Sequence, residues 1–141
     1  MMFLSIIVPI GDYHNNAFQI RNLIIKSYAE DVELILICDS LSQIEINKII
    51  ELTTCNSRIK IIKTNCGSPG LARNEGLKIA QGKWIVFWDC DDNPIYCNTR
   101  KIIDEADTSD YDLAVGSFGI SNKPLTFLNK KNDFSNRNIY N

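Results

Sequence analysis

Histidine is almost absent from this 141-residue chain, which carries only His14. None of its five cysteines, Cys38, Cys55, Cys66, Cys90 and Cys97, forms a C-x-x-C pair, so the ligand spacings of a zinc site are missing. The odd number argues against a disulfide framework. It points instead to a reduced, cytoplasmic setting with cysteines as small buried residues rather than nucleophiles. His14 is expected on the turn after the first strand, without a partner that would make it catalytic. Lys and Arg number 15 against 17 Asp and Glu, for a net charge of -2, and no basic cluster stands out. That balance offers no footprint for nucleic acid. No apolar run approaches the ~20 residues that cross a bilayer, so no transmembrane segment is expected here and any membrane contact would be peripheral or supplied by sequence beyond these residues. The apolar start, Met1 to Pro9, has no basic leader and no small-residue cleavage site; a first strand is expected there, not a signal peptide.

What is present is an alternation of apolar runs and helical patterns, without internal repeats or low-complexity tracts. Strands are expected at Leu4 to Ile10, Val32 to Cys38, Ile59 to Lys63, Trp84 to Trp88 and Tyr111 to Val115. Between them, apolar residues recur at helical spacing: Phe18, Ile20, Leu23, Ile24 and Ile25, then Ile44, Ile46, Ile49, Ile50 and Leu52, then Leu71, Leu77 and Ile79. A further helix is expected from about Asn98 to Ala106. Helices between strands imply crossover connections, hence an α/β domain with a largely parallel sheet. The length suits one domain with one core. That domain is expected to occupy residues 1–120. Residues 121–141, rich in Asn and Lys with scattered apolar anchors, form a polar tail or the opening of a further segment.

The chemistry gathers at strand ends. The fourth apolar run is five large residues, Trp84 to Trp88, read as a buried strand, and it stops abruptly at Asp89-Cys90-Asp91-Asp92. Two carboxylates ~5 Å apart at an effective dielectric of ~20 repel by roughly 3 kcal/mol. Such a cluster is comfortable in open water or around a cation, and carboxylate oxygens are the hard ligands that Mg²⁺ and Mn²⁺ prefer. An acidic turn capping the next helix accounts for the same residues. The first strand ends at Pro9-Ile10-Gly11-Asp12 and the second at Cys38-Asp39-Ser40. In a parallel sheet these ends share one edge, where a nucleotide would sit. Asp39 is also an ordinary helix-capping residue at a strand end. The segment Asn65 to Gly76 follows the third strand and opens a helix. Gly67 and Gly70 allow close backbone approach to a ligand, and Arg73 with the helix amides favours an anion. It is neither a Walker loop nor a dinucleotide fingerprint, and a plain strand-to-helix turn with Pro69 near the helix start remains open. Trp84 and Trp88 share a face by period two and are expected in the core.

Taken together, Ser5-Ile6-Ile7-Val8-Pro9, Cys38-Asp39, Gly70-Leu71-Ala72-Arg73-Asn74-Glu75-Gly76-Leu77 and Gly82 to Asp92 resemble the family 2 glycosyltransferases of the GT-A fold. The resemblance runs from Ser5 to about Gly116. It implies a GT-A (Rossmann-like) three-layer αβα sandwich with a mainly parallel central sheet, cut short after the donor-binding half. It also implies transfer of a sugar from a nucleotide diphosphate, UDP foremost, with Mn²⁺ or Mg²⁺, to a saccharide or lipid-linked acceptor in surface polysaccharide or glycoconjugate synthesis. By position, Asp39 would contact the base, Pro9 and Ile10 would line its pocket, and Arg73 would lie beside the nucleotide. Asp89 and Asp91 would form the D-x-D motif, with Asp91 the direct metal ligand and Asp89 nearer the ribose or a metal-bound water.

The chain departs from the family pattern in three places. The first strand ends in Ile10-Gly11-Asp12 where relatives often carry an aromatic residue and Asn, and position 38 is Cys where many carry another acid. The catalytic base normally comes from the second half of the domain, so no residue here is assigned that role. Two other readings compete. In a dehalogenase-like phosphatase Asp89 would be the nucleophile, but that motif belongs on the first strand and the Thr or Val expected after it is Asn93. In a scaffold fragment, nucleotide affinity or only the fold would persist.

Overall fold

The computed structural model describes residues 3–26, 30–93, 96–109 and 112–113. Of the expected strand from Tyr111 to Val115 only Asp112 and Leu113 are among these, and the tail from Ser121 lies outside them. The elements alternate as expected: β1 (Leu4–Ile10), α1 (Tyr13–Lys26), β2 (Val32–Asp39), α2 (Gln43–Thr53), β3 (Ile59–Thr64), α3 (Pro69–Leu77), β4 (Trp84–Phe87) and α4 (Tyr96–Thr108). The strands form one sheet in the order β3-β2-β1-β4, every pair parallel. Every residue of β1 and β2 is buried, which is why both read as continuous apolar runs.

Alternation along the strands divides the core in two. Leu4, Ile6, Val8 and Ile10 of β1 face the same way as Leu34, Leu36 and Cys38 of β2, and pack with Ile20, Leu23 and Ile24 of α1, Ile46 and Ile49 of α2, and Ile103 of α4. Ile7, Ile35 and Ile37 face the other way and meet α3 through Ala72. Helices therefore cover both faces, as the three-layer expectation requires. Phe18, Ile25, Ile44 and Ile50, which extended the apolar patterns of α1 and α2, are exposed.

Three expectations are corrected. Leu71 and Leu77 do not anchor α3; both are exposed, and Ala72 and Gly76 take the inner face. The helix lies too close to the sheet for larger residues, since a Cβ at Gly76 would sit 2.6 Å from Ile7 Cγ2. The strand Trp84 to Trp88 is not buried throughout. β4 is the last strand on its side among the described residues, and Ile85 and Phe87 are 39% and 47% exposed. Trp84 and Trp88 do reach the core, and Trp84 Nε1 donates to Asp107 of α4 at 2.6 Å. Not all the cysteines are buried: Cys38 is, Cys66 and Cys90 are half-buried and Cys55 is exposed, while the side chain of Cys97 lies outside those described.

The N-terminal edge of the sheet is closed by one carboxylate. Glu33, 1% exposed, accepts from Ser5 Oγ and the Gln81 amide at 2.5 Å each and pairs with Lys60 Nζ at 2.6 Å. Ser5 Oγ in turn accepts from the Gly82 amide at 2.7 Å. A side chain at Gly82 would collide with the β1 backbone at Leu4 and Ser5, so the α3–β4 turn can approach only as glycine. Glu33 thus ties β1, β2, β3 and that turn together.

Burial alone would push the Glu33 carboxyl up, but the bonds from Lys60, Ser5 and Gln81 outweigh it and hold the group below its ordinary value of 4.5. A carboxyl depressed by folding stabilises the protein above its unfolded value and loses that contribution as pH falls through the folded value. Urea unfolding should therefore show stability falling below about pH 4.5 in the wild type, with a flatter acid limb in Glu33→Gln. Glu33→Ala leaves Lys60 without its counter-charge and should cost about 3 kcal/mol at neutral pH; unchanged midpoints would show that the network contributes nothing.

Candidate functional site

The opposite, C-terminal edge carries the cleft. β1, β2 and β3 are laid side by side in one direction, and the chain then crosses back to place β4 on the other flank of β1. At that reversal the crossovers leave on opposite faces and a crevice opens beyond the strand tips. The cleft has a volume of about 590 Å³ and is lined by Pro9, Gly11 and Asp12 at the end of β1 and just beyond it, Asp39 and Ser40 at the end of β2, Gly67 to Pro69 and Arg73 at the start of α3, and Asp89 to Asp91 after β4. That is the size range of small-ligand sites.

Asp39 organises one end. Its Oδ1 accepts from Thr64 Oγ1 at 2.9 Å and the Cys66 amide at 2.5 Å, and its Oδ2 accepts from the Gly67 amide at 3.0 Å. The carboxylate is 7% exposed and is spent largely on holding the β3–α3 loop. Two residues of this rim adopt left-handed backbone. Gly67 has φ +66° at no steric cost, whereas Ser40 has φ +60° with a side chain, a conformation worth roughly 1 kcal/mol of strain. Ser40 is fixed there by its amide on the Thr64 carbonyl at 2.9 Å and its hydroxyl on Asn65 Oδ1 at 2.8 Å.

The loop delivers α3 with its N-terminus on the cleft. Pro69 occupies the first turn, and Ser68 at the cap makes no side-chain capping bond. Ser68 and Pro69 line the cleft, so the partial positive charge of the α3 N-terminus lies beside it, a setting that favours an anion. One turn in, Arg73 reaches across to the tip of β4 and pairs with Asp89 through Nη2.

The tip of β4 is a tight turn in which the Asp92 amide donates to the Asp89 carbonyl at 3.1 Å. Burial, then the charges of Asp89 and Asp91, push the Asp92 carboxyl up. Burial and the same two charges push the Cys90 thiol up as well, and burial takes Cys38 to about 11, so neither is a ready thiolate. Asp91 is exposed and accepts no hydrogen bond from the described residues. Among those residues no three potential ligands gather into a metal cage. The donor set fits a cation held by one or two carboxylates and completed by oxygens of a bound phosphate, which is how Mg²⁺ is usually held.

The structure thus brings Pro9, Asp39, Arg73, Asp89 and Asp91 to one cleft. Ile10 does not join them; it is fully buried in the core beneath α1, because period two turns it away from Pro9. Asp12 and Ser40 also line the cleft. Asp12 is bound to Asn15, accepting from its amide at 3.1 Å and its side chain at 2.6 Å, which starts α1. A strand end followed by Gly11-Asp12 was the signal for it. His14 lies on α1 rather than on the preceding turn, and its Nε2 is 3.5 Å from Glu45 of α2 at the exposed surface.

Residues 5–141 match the family model described as Glycosyl transferase family 2. The chain is 30% identical over 109 residues to the poly(ribitol-phosphate) beta-N-acetylglucosaminyltransferase TarS of Staphylococcus aureus (strain Mu50), covering 75% of this chain and 18% of that protein. It is 28% identical over 128 residues to the enzyme TarP of Staphylococcus aureus (strain N315), which bears the same functional name, covering 87% and 38%. The crystal structure of S. aureus TarS 1–349 in complex with UDP superimposes with a TM-score of 0.59 at 26% identity, covering 75% of this chain and 33% of that one. The chain spans less than two-fifths of the length of each of these relatives.

Removing the Asp39 carboxylate strands two amides and a hydroxyl at a nearly buried position. Asp39→Ala is expected to cost about 1–3 kcal/mol in urea unfolding and to speed hydrogen exchange at the Cys66 and Gly67 amides; wild-type exchange there would show that Asp39 does not hold the loop.

Proposed function

The chain belongs to glycosyl transferase family 2, and we propose that its cleft binds a nucleotide-diphosphate sugar, UDP-sugar foremost, as the donor for transfer to a saccharide or lipid-linked acceptor. The observation that carries this reading is the division of the cleft: Asp39 and the glycine loop at one end, the acid cluster at the other, the α3 N-terminus and Arg73 between them. A uridine diphosphate has the complementary order, base, then ribose, then charged phosphates. TarS, whose structure with UDP shares this fold, supports the choice of nucleotide.

In this reading Pro9 and Asp39 flank the base, Gly67 lets the loop backbone approach, and Arg73 lies beside the phosphates. Asp91 holds a divalent cation, Mn²⁺ or Mg²⁺, with Asp89 beside it. Such a cation supplies charge compensation for the departing diphosphate. Removal of a proton from the acceptor hydroxyl needs a base, and none of the described residues is assigned to it. Residues 1–120 form the donor-binding unit, working in the cytoplasm or peripherally at a membrane surface. No helix among the described residues is long and apolar enough to cross a membrane. The phosphatase reading needs its nucleophile at the tip of the first strand, whereas Asp89 follows β4, the fourth.

Titration calorimetry should show UDP binding that requires Mn²⁺ or Mg²⁺ and weakens about tenfold or more in Asp91→Asn, the loss of a charged ligand being worth roughly 1.5–3 kcal/mol. Equal, metal-independent binding by both proteins would contradict this reading.

A further inference from the structure

The contact between Arg73 and Asp89 joins the group best placed to meet the phosphates to a group best placed to meet the cation. Each incoming ligand needs one member of that pair. Arg73 is also underused: Nη2 meets Asp89, while Nε is buried with no hydrogen-bond partner among the described residues. A guanidinium has five donors in a fixed fork suited to a bidentate anion. On a single carboxylate contact most of that capacity stands idle. Asp91, two residues from Asp89 on the same turn, has no such engagement among the described residues.

Resting on the nucleotide-sugar reading above, we propose that Arg73 is a positioning residue that changes partners, leaving Asp89 for the diphosphate as Asp89 turns to the cation. The consequence is coupling. A cation that takes Asp89 releases Arg73 for the phosphates, and a diphosphate that takes Arg73 releases Asp89 for the cation. By linkage, each ligand must strengthen the other by the same factor. The pair also weakens either ligand bound alone, so that cation or free diphosphate by itself competes with an internal partner. Asp89 and Asp91, both acids on one turn, then have different duties: Asp91 is the open ligand and Asp89 the exchanged one.

The test uses the 141-residue chain. UDP is titrated in EDTA, and Mn²⁺ is titrated without nucleotide by electron paramagnetic resonance. Without metal, Asp89→Asn should bind UDP at least about threefold more tightly than wild type, the scale of a partly exposed ion pair. Asp91→Asn removes the same charge from the same turn but leaves Arg73 paired, and should gain clearly less. Arg73→Gln should take up Mn²⁺ about threefold more tightly than wild type and lose the mutual enhancement between Mn²⁺ and UDP. All three substitutions fall at the cleft surface, and circular dichroism with thermal melting confirms their folding. Equal gains in Asp89→Asn and Asp91→Asn, or a Mn²⁺ affinity in Arg73→Gln that is unchanged or undetectable, would overturn the exchange. Metal-dependent UDP binding by the wild type alongside those results would leave the nucleotide-sugar reading standing. No UDP binding by the wild type with Mn²⁺ present would overturn both.

Discussion

Parallel pairing of β1 with both β2 and β4 is the constraint on which the rest of this molecule depends. A parallel pair cannot be joined by a tight turn, so each strand must be followed by a helix that carries the chain back to the starting edge. All strand tips then share one edge, and the loop beyond each tip is free to serve a ligand. The strand order adds the second condition. With β4 on the far side of β1, α1 and α2 lie against one face while α3 lies against the other, and the tips of β1 and β4 part around a crevice. Asp39, Arg73 and Asp89 are separated by many residues in sequence and converge only because of this geometry.

The two edges of the sheet solve the same problem with different outcomes. At the N-terminal edge Glu33 gathers Ser5, Lys60 and the Gln81 amide, and its charge is matched by Lys60. At the C-terminal edge Asp39 gathers Thr64, Cys66 and Gly67 in a similar way, but the acids beyond β4 remain in excess. The carboxyl that folding depresses at one edge contrasts with the Asp92 carboxyl that is pushed up at the other. One edge is finished by the chain's own groups. The other keeps an uncompensated negative cluster beside an electropositive helix end, an arrangement suited to a cation and an anion bound together.

Much of this was legible in the sequence where one physical signal dominates. The continuous apolar runs of β1 and β2 gave their bounds within a residue, because both faces are covered. The abrupt change from Trp88 to Asp89 marked a strand tip without ambiguity. Signals that depend on distance between elements were hidden. Leu71 and Leu77 had helical spacing, yet the helix approaches the sheet so closely that only Ala72 and Gly76 fit. Ile10 sat beside Pro9 in a segment that resembles the family, but the alternation of strand side chains turned it inward. Glu33 gave no local sign of its role, since its partners Ser5, Lys60 and Gln81 are distant in sequence.

Whether the C-terminal edge of this sheet is a nucleotide site can be read most directly by amide-resolved NMR of the labelled chain during titration with UDP and Mg²⁺. Resonances of Gly11, Ser40, Gly67, Cys90 and Asp91 should move together while those of Gln81 and Gly82, at the opposite edge, stay in place. Shifts confined to other surfaces, or no shifts at saturating nucleotide and metal, would contradict a nucleotide site at that edge.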